Sequence, residues 1–181
     1  ITLIDNKNLF YKYGFVGDDK DYSHPSNSFI DTVLSNKKGN PISLASLYIV
    51  LAQKLKLPVF GVNLPQHFVL AFMPIQLEKL NDEDIDGIVN GEDVDIPVDK
   101  DDQPLFYINP FGKGGVFGKQ HLFNFLKELK LPYKEKYTRV CDSRAIVKRM
   151  LRNLQLSFAK MNKLNKKKEV DDLLRLFENE T

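Results

Sequence analysis

The sequence predicts an α+β fold, in which a central helix packs on a small antiparallel sheet and a helical hairpin closes the C-terminus. Three observations lead to it. Apolar residues recur at helical spacing through Asn27 to Lys56. At Pro58 the period changes, and three short β-rich runs follow, each bounded by Pro, Gly or Asn. From Asp142 the helical period returns in two consecutive segments.

Each element has its own signal. "NSFIDTVLSNKKG" reads as the first helix: Asn27 or Ser28 caps it, and Asp31 stands where a capping box needs its acid. Gly39 follows two lysines at its end, and Phe29, Ile30, Val33 and Leu34 make its buried stripe. "ISLASLYIVLAQKLK" is the central helix, started by Pro41 or Ser43 and ended before Pro58, with Leu44, Leu47, Tyr48, Leu51 and Leu55 at helical spacing. The strands are "PVFGVNL" (58–64), "HFVLAFM" (67–73) and "PLFYINPF" (104–111). "GKGG" is expected to be a mobile loop, because it lacks the spacing and following hydroxyl of a phosphate-binding loop. "KQHLFNFLKELK" buries Leu122, Phe123, Leu126 and Leu129. Asp142 or Ser143 then caps "RAIVKRMLRNLQLSFAKMNK", and "NKKKEVDDLLRLFENE" completes the hairpin. The expected units are a core over residues 1–140, with an acidic insertion at 79–103, and a hairpin over 141–181 packed on it.

Composition narrows the function. The chain has 181 residues, 43% hydrophobic and 28% charged, enough for one domain with a real core. No apolar run approaches membrane-spanning length and no cleavable signal is visible, so no membrane association is expected. The opening "ITLIDNKNLF" lacks a start methionine, which suggests that an N-terminal portion is missing. The single cysteine, Cys141, excludes an internal disulfide and a cysteine-based zinc site, and points to a reducing, cytoplasmic setting. No two histidines share a metal-ligand spacing, and no cofactor is expected.

A net charge of +2 conceals a strong asymmetry. Asn81 to Asp102 holds ten acidic residues and one lysine; it reads as a solvated loop, since Gly87 falls where a calcium-binding loop needs a ligand. Arg144 to Lys168 holds nine basic residues and no acidic one. Without aromatic interleaving this reads as a solvated helix face, and nucleic acid is disfavoured as a partner.

The order of the motifs is more specific than any one of them. Asn27-Ser28, Lys37-Lys38-Gly39, Pro41-Ile42-Ser43-Leu44, Gly61-Val62, Pro65-Gln66-His67-Phe68, Asn109-Pro110-Phe111 and Gly114-Gly115 follow one another along the chain. Together they resemble the transglutaminase-like SirB family of bacterial proteins, over roughly residues 9 to 178. "MLRNLQLSF" also resembles the start of the tetratricopeptide-like helices that close many members. The resemblance implies a papain/transglutaminase-like core. In catalytic relatives of this kind, a cysteine sits at the N-terminus of the central helix, a histidine on the next strand and an aspartate on the strand after. The helix end and histidine favour the thiolate, and the third residue holds the imidazole tautomer.

Carried over by motif, His67 takes the histidine position and Asn109 the aspartate position. The nucleophile position falls around Ile42, with Ser43 the nearest hydroxyl. The family pattern thus loses its cysteine, and a serine there is more often a helix cap. Cys141 lies outside the core pattern and reads as structural. Asn109 orients an imidazole but adds no negative charge to stabilise imidazolium. His24, before Pro25, and His121, in a helix's first turn, offer less. The expected function is a non-catalytic or degenerate domain that binds a protein or peptide. The alternative is a hydrolase or acyltransferase acting on amide bonds through a Ser43–His67–Asn109 triad.

Overall fold

A computed structural model describes residues 6–177 except Gly91 and Asp93, so the outermost residues of both expected units lie outside the described residues. The chain enters through a π-helical turn, Lys7–Lys12, which buries Leu9 and Phe10. Strand β1 (Val16–Gly17) pairs in parallel with β2 (Lys38–Gly39). Between them lie a 3-10 turn, Pro25–Ser28, and helix α1 (Ile30–Asn36).

Helix α1 departs from expectation at both ends. Its N-cap is Phe29, with no side-chain capping bond, because Asn27 and Ser28 are buried and bonded elsewhere. It stops at Lys37, which adopts a left-handed φ of 59° two residues before Gly39. Of the expected stripe only Val33 is buried, while Phe29 and Leu34 are exposed. A two-turn helix lying on the surface turns a single position fully inward.

Helix α2 (Pro41–Lys54) is the central helix, and Pro41 occupies its first turn. Its buried row is Leu44, Tyr48 and Ala52, with Ile42 and Ala45 alongside. Leu51 and Leu55 face outward, contrary to the expected stripe, because steps of four carry the buried row to Ala52. The two small alanines let the sheet approach closely.

The sheet has the order β3-β4-β5-β6 and is antiparallel throughout. Its strands are β3 (Val59–Leu64), β4 (His67–Phe72), β5 (Phe106–Asn109) and β6 (Gly115–Phe117). The stretch around "GKGG" is therefore partly strand: Lys113 and Gly114 take left-handed φ values and Gly115 starts β6. The acidic insertion is likewise not all loop, since it contains helix α3 (Asp82–Asn90). Asn81 and Asp84 cap each other through Asp84 N–H to Asn81 Oδ1 (2.8 Å) and Asn81 N–H to Asp84 Oδ2 (3.1 Å). Asp82, Glu83 and Asp84 also complement the positive end of the helix dipole.

Strand β4 is buried on both faces. Phe68 and Leu70 pack with the α2 residues, whereas Val69 and Ala71 pack with Leu122 and Leu126 of helix α4 (Lys119–Glu128). The hairpin consists of α5 (Ser143–Lys160) and α6 (Leu164–Leu176), joined by Leu154, Phe158, Val170 and Leu174. Asp142 Oδ1 caps α5 by accepting the Ala145 N–H at 2.7 Å, as expected. Ile146 and Met150 pack against the core beneath α2. Edge strand β3 is covered by the same segment: Cys141 N–H donates to Gly61 O (2.8 Å) and Arg149 to Leu64 O (3.2 Å). Among the described residues, no helix is long and apolar enough to cross a membrane.

Candidate functional site

His67 opens β4 directly after a two-residue turn, Pro65-Gln66, that joins it to β3. Pro65 presets the first turn position, and Gln66 takes φ 59°, the positive value that a type II turn needs at its second. Glycine is the residue for which this conformation costs least, so Gln66 holds it at some expense. Strand alternation puts His67 on the side of Val69 and Ala71, facing α4. Its ring lies 5.6 Å from Phe125 on that helix and 6.4 Å, edge-on, from Phe111, which packs against the α2 layer. His67 thus stands at the end of the sheet where the two layers meet.

Asn109 ends β5, and its Oδ1 accepts the Gly112 N–H at 3.1 Å. That bond fixes which end of the amide is the acceptor. The same oxygen lies 3.3 Å from His67 Nε2, so Nε2 carries the proton and donates, leaving the Nδ1 lone pair available. Gly112 has to be small, since a Cβ there would stand 2.9 Å from Asn109 Nδ2. Burial holds the His67 pKa below its ordinary value; the Asn109 bond opposes this, and the Arg149 charge adds to it. The expected His–Asn pair is therefore brought together, with a neutral imidazole able to accept a proton.

Ser43 is placed differently. It is wholly buried, and it forms a capping box with Asn40, the true N-cap of α2. Ser43 N–H donates to Asn40 Oδ1 (3.0 Å), and Asn40 N–H donates to Ser43 Oγ (3.0 Å). Ser43 Oγ donates in turn to Asn40 O (3.1 Å). Among the described residues, no hydrogen bond joins Ser43 to His67. Ile42, at the expected nucleophile position, is a core residue.

Much of the motif proves to be scaffold around this cap. Asn40 Nδ2 donates to Ser28 Oγ at 2.8 Å, and Asn27 Nδ2 donates to Asp21 O and Asp18 Oδ2. A Cβ on Gly39 would sit 2.6 Å from Ser43 Oγ and 3.1 Å from both Leu44 and Val33. Asn27, Ser28, Gly39 and Ser43 thus specify how the strand, turn and helix interlock. Asn40 was missed in the sequence, although an Asn just before a proline at the first helical position is a capping signal.

Arg149 was missed too, with no local signal to reveal it. Its Nη1 donates to Asn63 Oδ1 (3.1 Å) and Leu64 O (3.2 Å), fastening α5 to the turn before His67. Two cavities flank that turn, of about 470 and 400 Å³, and Arg149 and Asn63 line both. Leu64 and Pro65 belong to the first and Gln66 to the second, so the cavities adjoin the His67 turn rather than enclose His67. Cys141 is half-buried in the first, its thiol pushed up to about 11 by burial and then by the Asp142 charge, so it is a poor nucleophile. His24 caps the 3-10 turn by accepting the Ser26 N–H, and His121 is exposed on α4. Among the described residues, no group of three or more His, Cys, Asp or Glu side chains is placed to share a metal ion.

Comparison with known proteins finds partial sequence relatives. The chain is 42% identical over 65 residues to a UPF0162 protein of Xylella fastidiosa, covering 36% of the chain and 23% of the relative. It is 42% identical over 81 residues to a UPF0162 protein of Vibrio cholerae, covering 41% and 30%. It is also 37% identical over 62 residues to human F-box only protein 21, covering 34% of the chain and 10% of that protein. The matched stretch is thus under a third of each relative's length. No solved structure matches. The sequence model of the transglutaminase-like superfamily matches residues 4–152, from before the π-helical turn to the middle of α5. The chain belongs to the transglutaminase-like superfamily.

Proposed function

We propose that this domain is a degenerate, SirB-type member of the superfamily that works by holding a protein or peptide in the clefts beside the His67 turn. The observation that carries this reading is the start of α2. Where catalytic relatives of the resembled kind bear a thiol, this chain has the core residue Ile42, and the nearest hydroxyl, Ser43 Oγ, is engaged on both sides by Asn40. A serine attacks only when a base removes its proton, and the base would have to reach an atom already committed to the helix cap. The clefts support the binding role. They present amide, apolar and cationic groups together, the mixture that a peptide's backbone and side chains use.

A second reading is favoured by one observation, the His67–Asn109 pair with its available Nδ1 lone pair. It is a hydrolase or acyltransferase acting on amide bonds through Ser43, His67 and Asn109. Two experiments separate the readings. A random heptapeptide library panned on the immobilised chain should yield peptides whose retention falls on Asn63→Ala but survives Ser43→Ala. A set of chromogenic amides and esters should show no turnover that depends on Ser43 and His67. Turnover abolished by either Ser43→Ala or His67→Ala in a folded variant would overturn the binding-only reading.

A further inference from the structure

The basic run from Arg144 to Lys168 was expected to be a solvated face, and at Lys160 and Lys163 it is exposed. Three of its members converge on one place, and of these Arg152 is itself exposed. Lys148 and Arg149 are half-buried, and with Arg152 they line one cavity of about 400 Å³ against the β3–β4 turn. Three cations converging on one cavity repel one another, and such an arrangement ordinarily carries carboxylate partners.

None is supplied. Among the described residues, no carboxylate forms an ion pair with Lys148, Arg149 or Arg152. Asp171 of α6 lines a separate cleft with Arg152. It is already held by Lys167 (2.6 Å) and Gln155 (2.6 Å). Arg149 uses Nη1 for two neutral acceptors, Asn63 Oδ1 and Leu64 O. Its Nη2 and Nε have no bonded acceptor among the described residues, which leaves donors on the edge that a carboxylate engages in a fork. Burial and the Arg152 charge both disfavour protonated Arg149, and the Tyr22 side chain only partly offsets them.

We propose that Lys148, Arg149 and Arg152 form a recognition site for the side-chain carboxylates of an acidic peptide. The proposal deepens the binding reading above and rests on it. The rest of the lining selects peptide over nucleic acid. Asn63, Gln66 and Asn153 offer amides that pair with a peptide backbone, and Leu156 adds an apolar contact. No aromatic ring lines this cavity to stack a base.

The test uses the whole 181-residue chain and two fluorescein-labelled, C-terminally amidated hexapeptides. One alternates alanine with glutamate and the other alanine with glutamine. Anisotropy at low salt is expected to show the glutamate peptide binding at least tenfold more tightly. That preference should fall to less than threefold in the double variant Lys148→Glu, Arg152→Glu, which spares the Arg149 bonds to the turn. Arg149→Lys should keep the fold, by circular dichroism, and lose part of the preference. Equal binding of the two peptides by the parent chain overturns the acidic site while leaving the peptide cleft standing. A preference unchanged in the double variant overturns it as well. Binding of neither peptide, or of a single-stranded oligonucleotide instead, overturns the acidic-peptide proposal too. Heptapeptide panning then decides separately whether the cleft reading fails.

Discussion

Asn109 Oδ1 takes the Gly112 N–H and lies 3.3 Å from His67 Nε2, so one amide oxygen sets the tautomer of the imidazole. The glycine turn after β5 thereby controls which nitrogen of His67 is basic. Restoring a carboxylate at this position should act on the same nitrogen. Asn109→Asp is expected to raise the His67 titration midpoint by at least about one pH unit, through charge attraction added to the hydrogen bond. Asn109→Leu should lower it, because only the opposing bond is lost. Proton NMR of the imidazole Cε1–H across pH 4–8 reads both changes, and a midpoint indifferent to residue 109 would break the pairing.

The lowered His67 pKa also shapes stability. Burial is its main cause, so the native state resists protonation more than the unfolded chain does. Below the unfolded value of about 6.5 the unfolded state binds the extra proton, and stability falls as pH drops from there through the lowered folded value. Urea midpoints should therefore decline as the pH falls below about 6.5. His67→Phe, which keeps an aromatic ring beside Phe111 and Phe125, should flatten that decline. An equal slope in parent and variant would count against it.

The start of α2 tests scaffold against chemistry. Asn40→Ala removes the cap and strands the buried Ser28 hydroxyl, and should cost about 2 kcal/mol, at the upper end for an N-cap. Ser43→Ala should cost about 1 kcal/mol. Denaturant titration measures both, and a Ser43→Ala protein as stable as the parent would mean that the box contributes nothing.

Gly39 offers a steric check on the same corner. Gly39→Ala puts a methyl carbon 2.6 Å from Ser43 Oγ with Leu44 and Val33 close by. Overpacking of this sort should cost about 1–3 kcal/mol. Combining it with Ser43→Gly, which clears the nearest atom, should recover part of the loss relative to the Ser43→Gly background. A strictly additive double variant would place the strain elsewhere.

Cys141 should be slow to alkylate. With its thiol pushed up to about 11, the thiolate is scarce at pH 8, and iodoacetamide should react at least tenfold more slowly than in urea-unfolded chain. Comparable rates before and after unfolding would contradict the half-buried setting.

The sequence by itself determined the class of fold and the order of its parts. Helical spacing located α2, α4, α5 and α6, the change of period at Pro58 located β3 and β4, and ordered motifs singled out His67 and Asn109. These signals are local, because a helix or strand repeats its burial every few residues. Tertiary structure decided the rest. Nothing local shows that Leu51 and Leu55 face outward while Ala52 is buried, since that depends on which side the sheet occupies. Nor does the run "NDEDIDGIVNG" reveal that Asn81 and Asp84 cap a helix, because acidic composition masks the cap. The role of Asn40 was written beside Pro41, but its second bond, to Ser28, comes from a residue twelve positions earlier. Arg149 is the clearest case. In sequence it is one cation in a basic run, and only the docking of α5 across β3 brings it to the His67 turn, 86 positions from Asn63, with no carboxylate paired to it among the described residues.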